Sequence, residues 1–275
     1  MPEDLSLAAL GLDVVPALRP LAYPGCPAPW PALLTGDELL PLGVRALPLG
    51  RWSVAGRALD DVLGERGQAP VGRRHPVIAV GSNASPAQVA YKLLRRGISA
   101  AVPMVPVTVR GIAVGCSAHI ARAGYVAAAP YRADPAAETS LVVSWLDEEQ
   151  FRAVDETEFP NYRRALITGD DSGLVLPSGE KLDGAYLYVS SFGILTEPGA
   201  GTPRPGGGPQ ATLLASLLKA SPRLRDLLGP DPASWVRRAA ADPAVRESGA
   251  RVFGEESWVL RQPGFLPYAG GAAGL

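Results

Sequence analysis

The sequence predicts an α+β protein, a small mixed β-barrel or strongly bent sheet flanked by helices. Three observations carry this. Val77 to Val80 is a short apolar run of strand type that breaks at Gly81 and restarts as a helix. Further strand-like runs lie at Gly124–Pro130, Thr139–Trp145 and Ala185–Val189. At 275 residues and 47% hydrophobic, the chain is long and apolar enough for a sizeable core of one or two domains.

The elements follow in chain order. Six prolines from Pro16 to Pro31 demand extended or turning backbone. Trp30, Leu33, Leu34, Leu39 and Leu40 then supply apolar side chains that must dock on the main body, and Arg57–Gly64 is a short amphipathic helix. Residues 1–74 are therefore expected to form a Pro-rich N-terminal extension, either a structural wrap or a subunit contact. After the strand at 77–80, Ser85 is placed to cap a helix with Pro86 as its first residue. Val89, Ala90, Leu93 and Leu94 repeat at helical spacing until Gly97. The Gly81-Ser82-Asn83 turn thus sits where backbone N–H groups point outward, a place suited to a carboxylate or an oxyanion, although Gly, Ser and Asn are also ordinary turn formers.

A second helix is expected from Asp147, with Gln150 completing a capping box and Pro160 ending the run. Phe151 and Val154 mark its apolar face. At roughly 100° per residue, Glu158 lies about 20° from Phe151, Asp155 about 40° away on the other side, and Glu156 about 140° away. Glu158 and Asp155 should face inward and Glu156 water. An inward carboxylate is costly unless paired or used, and burial alone would raise its pKa. Two readings stand: an ion pair from Glu158 to Arg163 or Arg164, or a functional acid.

Beyond the strand at 185–189, residues 197–209 are glycine- and proline-rich and are expected to be a mobile loop, a lid or a plain connector. Leu213, Leu214, Leu217 and Leu218 mark a helix, followed by another over about 221–228. The Gly/Ala-rich stretch at 263–275 is expected to be a flexible tail.

Composition limits the partners. With 26 basic against 27 acidic residues and no basic stripe, neither nucleic acid nor a membrane surface is an expected partner. No uninterrupted apolar run of membrane-spanning length occurs. Cys26 and Cys116 cannot make a framework of bridges, which points to a cytoplasmic location. His75 and His119, the two histidines, have no cysteine pair to complete a zinc site, and Cys116 and His119 three apart on a strand face opposite ways. No phosphate-binding loop, dinucleotide fingerprint or internal repeat is present.

Two segments together resemble the γ-glutamylcyclotransferase-like superfamily, whose members carry a Tyr-Gly-Ser-Asn-Leu loop and a later Leu-Asp-x-x-Glu-Gly segment followed by Tyr-x-Arg. Here the loop reads Val80-Gly81-Ser82-Asn83-Ala84 and the acidic segment runs from Val154 and Asp155 to Glu158, with Tyr162 following. The resemblance covers about 190 residues and sets a domain at 75–262. It implies that Glu158 is the catalytic acid/base and that Val80, Gly81, Ser82, Asn83, Ala84 and Tyr162 bind substrate. Val80 replaces the family's tyrosine, Ala84 its leucine and Phe159 its glycine, which puts the identity of the substrate in question. The implied activity is a cyclotransferase reaction on a γ-glutamyl-like amide, releasing 5-oxoproline and an amine with no cofactor and no metal. The alternatives are an amidohydrolase on a similar amide and a catalytically inactive small-molecule binding module. A homodimer is compatible with these readings.

Overall fold

The computed structural model describes residues 4–168, 173–261 and 264–265. Two sheets and seven α-helices account for the regular structure among them. The first sheet has nine strands in the order β10-β11-β5-β9-β6-β1-β2-β3-β4. In chain order these are β1 (Ala32–Thr35), β2 (Glu38–Gly43), β3 (Ser53–Val54), β4 (Arg57–Ala58), β5 (His75–Ala79), β6 (Val102–Arg110), β9 (Glu138–Leu146), β10 (Tyr162–Thr168) and β11 (Gly184–Ser190). The second sheet, β13-β12-β7-β8, is built from β7 (Ile112–Ile120), β8 (Val126–Arg132), β12 (Ile194–Leu195) and β13 (Val259–Leu260). Neither sheet closes on itself, so the barrel alternative gives way to two open sheets. The pairing is mixed: β11 runs parallel to β5, whereas β5 and β9, and β6 and β9, are antiparallel.

The large sheet is buried on both faces, which is why its central strands read as unbroken apolar runs instead of alternating ones. Val77, Val142, Tyr186 and Tyr188 project into one core, together with the inner faces of α2 (Pro86–Leu94) and α3 (Glu148–Glu158). Their neighbours Ile78, Val143, Leu187 and Val189 project into a second core under α1 (Leu59–Glu65), around the fully buried Trp52. A third core joins the small sheet to α4 (Gln210–Ala220), α5 (Pro222–Leu228), α6 (Pro232–Ala241) and α7 (Pro243–Glu255), with Trp235 and Phe253 at its centre.

The large sheet crosses the boundary that the sequence suggests near residue 74. β1 pairs with β6, Leu33 opposite Pro103, so the early leucine-rich stretch continues the sheet itself. The preceding proline-rich segment lies against α2 and the turn that opens it: Ala17 N–H donates to Gln88 Oε1 at 3.0 Å and Ala28 N–H to Ala84 O at 2.9 Å. Residues 197–209 run beside β7, where Cys116 N–H donates to Arg204 O and Gly206 N–H to Val114 O. The expected tail at 263–275 falls almost wholly outside the described residues.

Leu33 is fully buried in β1. Leu33→Ala is expected to cost about 2–5 kcal/mol, with a single unfolding transition in chemical denaturation monitored at the tryptophans and by far-UV dichroism. Two separated transitions, only the earlier one shifted, would mean that the first strands fold apart from the rest.

Candidate active site

β5 ends at Ala79, and the chain passes through Val80 and Gly81 into a single 3-10 turn, Ser82–Ala84, before α2. Ser85 occupies the N-cap position, but its hydroxyl makes no cap bond and is buried without a partner among the described residues, so Pro86 at the first helical position is the start signal that operates. The capping box of α3 forms as the spacing predicts: Gln150 N–H donates to Asp147 Oδ1 at 2.9 Å and Asp147 N–H to Gln150 Oε1 at 3.1 Å. Fixing the start of this helix fixes the direction of every carboxylate along it.

The three acids of α3 separate as their angles require. Glu156 is largely exposed and pairs with Arg96 at 3.5 Å. Asp155 turns inward, accepting from Arg164 at 2.6 Å and from the Tyr188 hydroxyl at 2.6 Å. Glu158 ends the helix inside a cavity of about 620 Å³, where Oε1 accepts from Asn83 Nδ2 at 3.0 Å and from Lys92 Nζ at 2.8 Å. The pairing of Glu158 with Arg163 or Arg164 is therefore replaced: Arg164 is committed to Asp155, and Lys92 of α2 is the partner. Lys92 Nζ also donates to Asn83 Oδ1 at 2.7 Å, closing a triangle of Asn83, Lys92 and Glu158.

This triangle reverses the expected electrostatics of Glu158. Burial pushes its pKa up, but the Lys92 charge and the hydrogen bonds from Lys92 and Asn83 outweigh burial and hold the carboxyl below its usual range. The buried phenols around it stay protonated: burial, with the Glu158 charge adding to it, raises Tyr23, Tyr125, Tyr162 and Tyr188. His119, pushed down to about 4 by burial, is neutral near pH 7. Its Nδ1 lies 2.6 Å from Ser117 Oγ, which in turn lies 2.6 Å from Ser190 Oγ.

The cavity gathers most of the residues singled out in the sequence. Val80, Gly81, Ser82, Asn83, Glu158 and Tyr162 line it; Ala84 does not, being turned into the core beside α2. Tyr162 lies close, with its hydroxyl donating to Ala128 O at 2.7 Å. Sequence reasoning missed Lys92, whose place in the apolar register of α2 was the available signal, since it lies three residues after Val89. It also missed Tyr23, Tyr125 and His119, which arrive from distant segments and carry no local mark. Residues 197–209 supply none of this lining; most of them border a separate cavity of about 370 Å³ with Cys116. Among the described residues, no three His, Cys, Asp or Glu side chains cluster to hold a metal ion, and no helix is long and apolar enough to cross a membrane.

Gly81 is explained by space. Its φ of −137° is open to any residue, but an added Cβ would stand 2.3 Å from the Tyr23 phenol oxygen and 3.3 Å from the Ala128 methyl. The turn therefore has no room for a side chain at this position, because a tyrosine of the N-terminal segment presses against it.

No protein-family model matches the chain, and no curated protein does. Part of the chain is similar in fold to solved structures. One is a γ-glutamyl cyclotransferase, at 12% identity and TM-score 0.34, covering 42% of this chain and 66% of that one. Another is an Arabidopsis thaliana protein solved in solution, at 20% identity and TM-score 0.31, covering 42% and 61%. A third is a γ-glutamyl cyclotransferase specific to glutathione from yeast, at 13% identity and TM-score 0.30, covering 61% and 98%. The chain thus spans about two thirds of the length of the first two. Likeness at this level concerns the fold and leaves the chemistry to the site itself.

The contact at Gly81 yields a thermodynamic cycle. Gly81→Ala is expected to destabilise by about 1–3 kcal/mol through overpacking. In a Tyr23→Phe background, where the nearest ring carbon stands 3.4 Å from the new methyl, the same change should cost measurably less, giving a coupling energy of at least about 0.5 kcal/mol in denaturant titrations. Additive costs would mean that the glycine answers to something other than Tyr23.

Proposed function

We propose that the protein is a cyclotransferase-type enzyme acting on a γ-glutamyl-like amide. The observation that carries this reading is an ionised glutamate, fixed by the Asn83–Lys92 pair, at the wall of a cavity large enough for a small ligand. Beyond Lys92 and Arg96, which pair with Glu158 and Glu156, Arg95 and Arg122 also line the cavity, leaving it a net positive side suited to an acidic ligand.

One carboxylate can carry the proton that the leaving nitrogen needs. Glu158 takes a proton from the α-ammonium of the substrate, and the freed amine attacks the γ-carbonyl carbon, closing a five-membered ring. The tetrahedral intermediate carries its charge on the former carbonyl oxygen. Glu158 then returns that proton to the departing nitrogen, the oxyanion collapses and the old C–N bond breaks. The ring nitrogen, which still holds two hydrogens after attack, releases its second proton to solvent or to the freed amine, so that 5-oxoproline with a neutral lactam and an ammonium leave. The substrate brings its own nucleophile, so the protein has only to bind the folded conformer and move the proton. The low pKa of Glu158 keeps it in the base form when substrate arrives, and binding beside a second cation favours proton loss from the ammonium. In the 3-10 turn before α2, the Ser82 and Asn83 N–H groups donate to no backbone acceptor outside the turn among the described residues, which leaves them for the developing oxyanion.

One observation favours a second reading. Lys92 neutralises Glu158 within the site, an arrangement equally suited to a pocket that binds an acid without transforming it. Product analysis separates the two. With a panel of γ-glutamyl amines, γ-glutamyl amino acids and glutathione, the cyclotransferase yields 5-oxoproline plus free amine by mass, an amidohydrolase yields glutamate plus amine, and a binding module yields saturable binding without turnover. Glu158→Gln is expected to lower kcat about 10²–10⁴-fold with binding largely kept; retained turnover would remove Glu158 from the chemistry.

The ion pair makes a separate prediction about pH. Because Lys92 holds the Glu158 pKa below the ordinary glutamate range, the base form is lost only as pH falls through that low value, and the acid limb of kcat/KM should lie on the acidic side of neutral. In Lys92→Met only burial and weaker contacts remain, so the limb is expected to move upward by about 1–3 units. An unmoved limb would show that Lys92 does not set the ionisation of the catalytic group.

A further inference from the structure

Tyr23 belongs to the N-terminal segment, is 6% exposed, and lines the Glu158 cavity. Its ring stacks on Tyr125, with centroids 4.1 Å apart. Its phenol oxygen accepts a hydrogen bond from Ala128 N–H at 2.7 Å. Ala128 lies in β8, the edge strand of the small sheet, and its carbonyl accepts from Tyr162 on the same edge. The two phenols therefore serve opposite backbone groups of one residue, Tyr23 the N–H and Tyr162 the carbonyl. Tyr162 spends its proton on Ala128 O, as Tyr188 spends its own on Asp155. Tyr23 has used a lone pair and still holds its proton, for which there is no acceptor among the described residues.

A buried O–H without an acceptor is costly unless water or a ligand supplies one. This O–H lies against Gly81, at the start of the turn whose Asn83 holds Glu158. The segment that carries it is tied on both sides, through Ala17 to Gln88 of α2 and Ala28 to Ala84 of the turn before it, so the hydroxyl is held in place before any ligand arrives. Burial, with neighbouring phenols and Glu158 adding to it, keeps the phenol protonated.

We propose that Tyr23 is a ligand-binding residue whose O–H donates a hydrogen bond to a carbonyl or carboxylate oxygen of the bound molecule, so that the N-terminal segment completes the site. The choice of ligand class rests on the γ-glutamyl reading above; the position of the donor does not.

The experiment compares three side chains at position 23 in the full chain, with 5-oxoproline, glutarate and γ-glutamyl-ethylamide as calorimetric probes. Tyr23→Phe deletes the donor and is expected to weaken binding about 5- to 20-fold. Replacement of Tyr23 by 3,5-difluorotyrosine makes the hydroxyl a stronger donor and a poorer acceptor. If the hydroxyl serves the ligand, affinity holds or rises; if it serves only Ala128 N–H, affinity falls along with that of the phenylalanine variant. The fluorinated variant keeps the question open to measurement even where Tyr23→Phe folds poorly. Wild-type binding of any probe with unchanged affinity in Tyr23→Phe, or equal weakening by both replacements, would overturn the role of Tyr23 and leave the γ-glutamyl reading standing. A wild-type protein that binds none of the probes would overturn that reading together with the ligand class assigned to Tyr23.

Discussion

The ion pair between Lys92 and Glu158 is the constraint on which the site depends. Both side chains are largely withdrawn from water, at 11% and 14% exposure, so each charge is costly without the other. Breaking such a pair by removing one partner typically costs about 3–5 kcal/mol, because the remaining charge is left desolvated. The pair joins α2 to α3, and with Asn83 it also ties in the turn that opens α2. A single cluster of charges therefore fixes the distance between the two helices and the ionisation of the glutamate between them.

The position of that cluster is set from the other side by the small sheet. β8 is an edge strand, and an unpaired edge carries backbone groups that need partners. At Ala128 they find two phenols, one from the N-terminal segment and one from the start of β10. The cavity forms in the gap between this edge and the helix pair, and its wall is a row of tyrosines because a phenol can pack as an apolar ring while serving a backbone group at its tip. The early residues are part of this architecture twice over: β1 and β2 extend the large sheet, and the segment before them closes over α2 beside the turn.

Much of this was legible in the chain, for reasons that differ by element. α3 could be read in detail because a capping box and a helical period are local: Asp147 and Gln150 fix its phase, and the phase sends Glu156 outward and Asp155 and Glu158 inward. The Gly81-Ser82-Asn83 turn was legible as punctuation between a strand and a helix. The nine-stranded sheet was not, since β1 is recognised only by its pairing with β6 some seventy residues later, and an open sheet differs from a barrel only in which edges meet. The reason for Gly81 was also hidden: a glycine that makes room for a distant phenol looks the same in sequence as one chosen for its backbone freedom.

The sequence by itself determined five of the seven described helices and the inward direction of one glutamate, because those follow from residues within a turn or two of each other; the helices at Pro232–Ala241 and Pro243–Glu255 were read only in the structure. Tertiary structure alone decided that glutamate's partner and charge. Lys92 lies 66 residues away along the chain, and a pKa is set by which charge ends up within a few ångströms in a desolvated place, which no local pattern encodes. The same reason places Tyr23 in the cavity: side chains far apart in sequence share a site only once packing brings their strands and helices together.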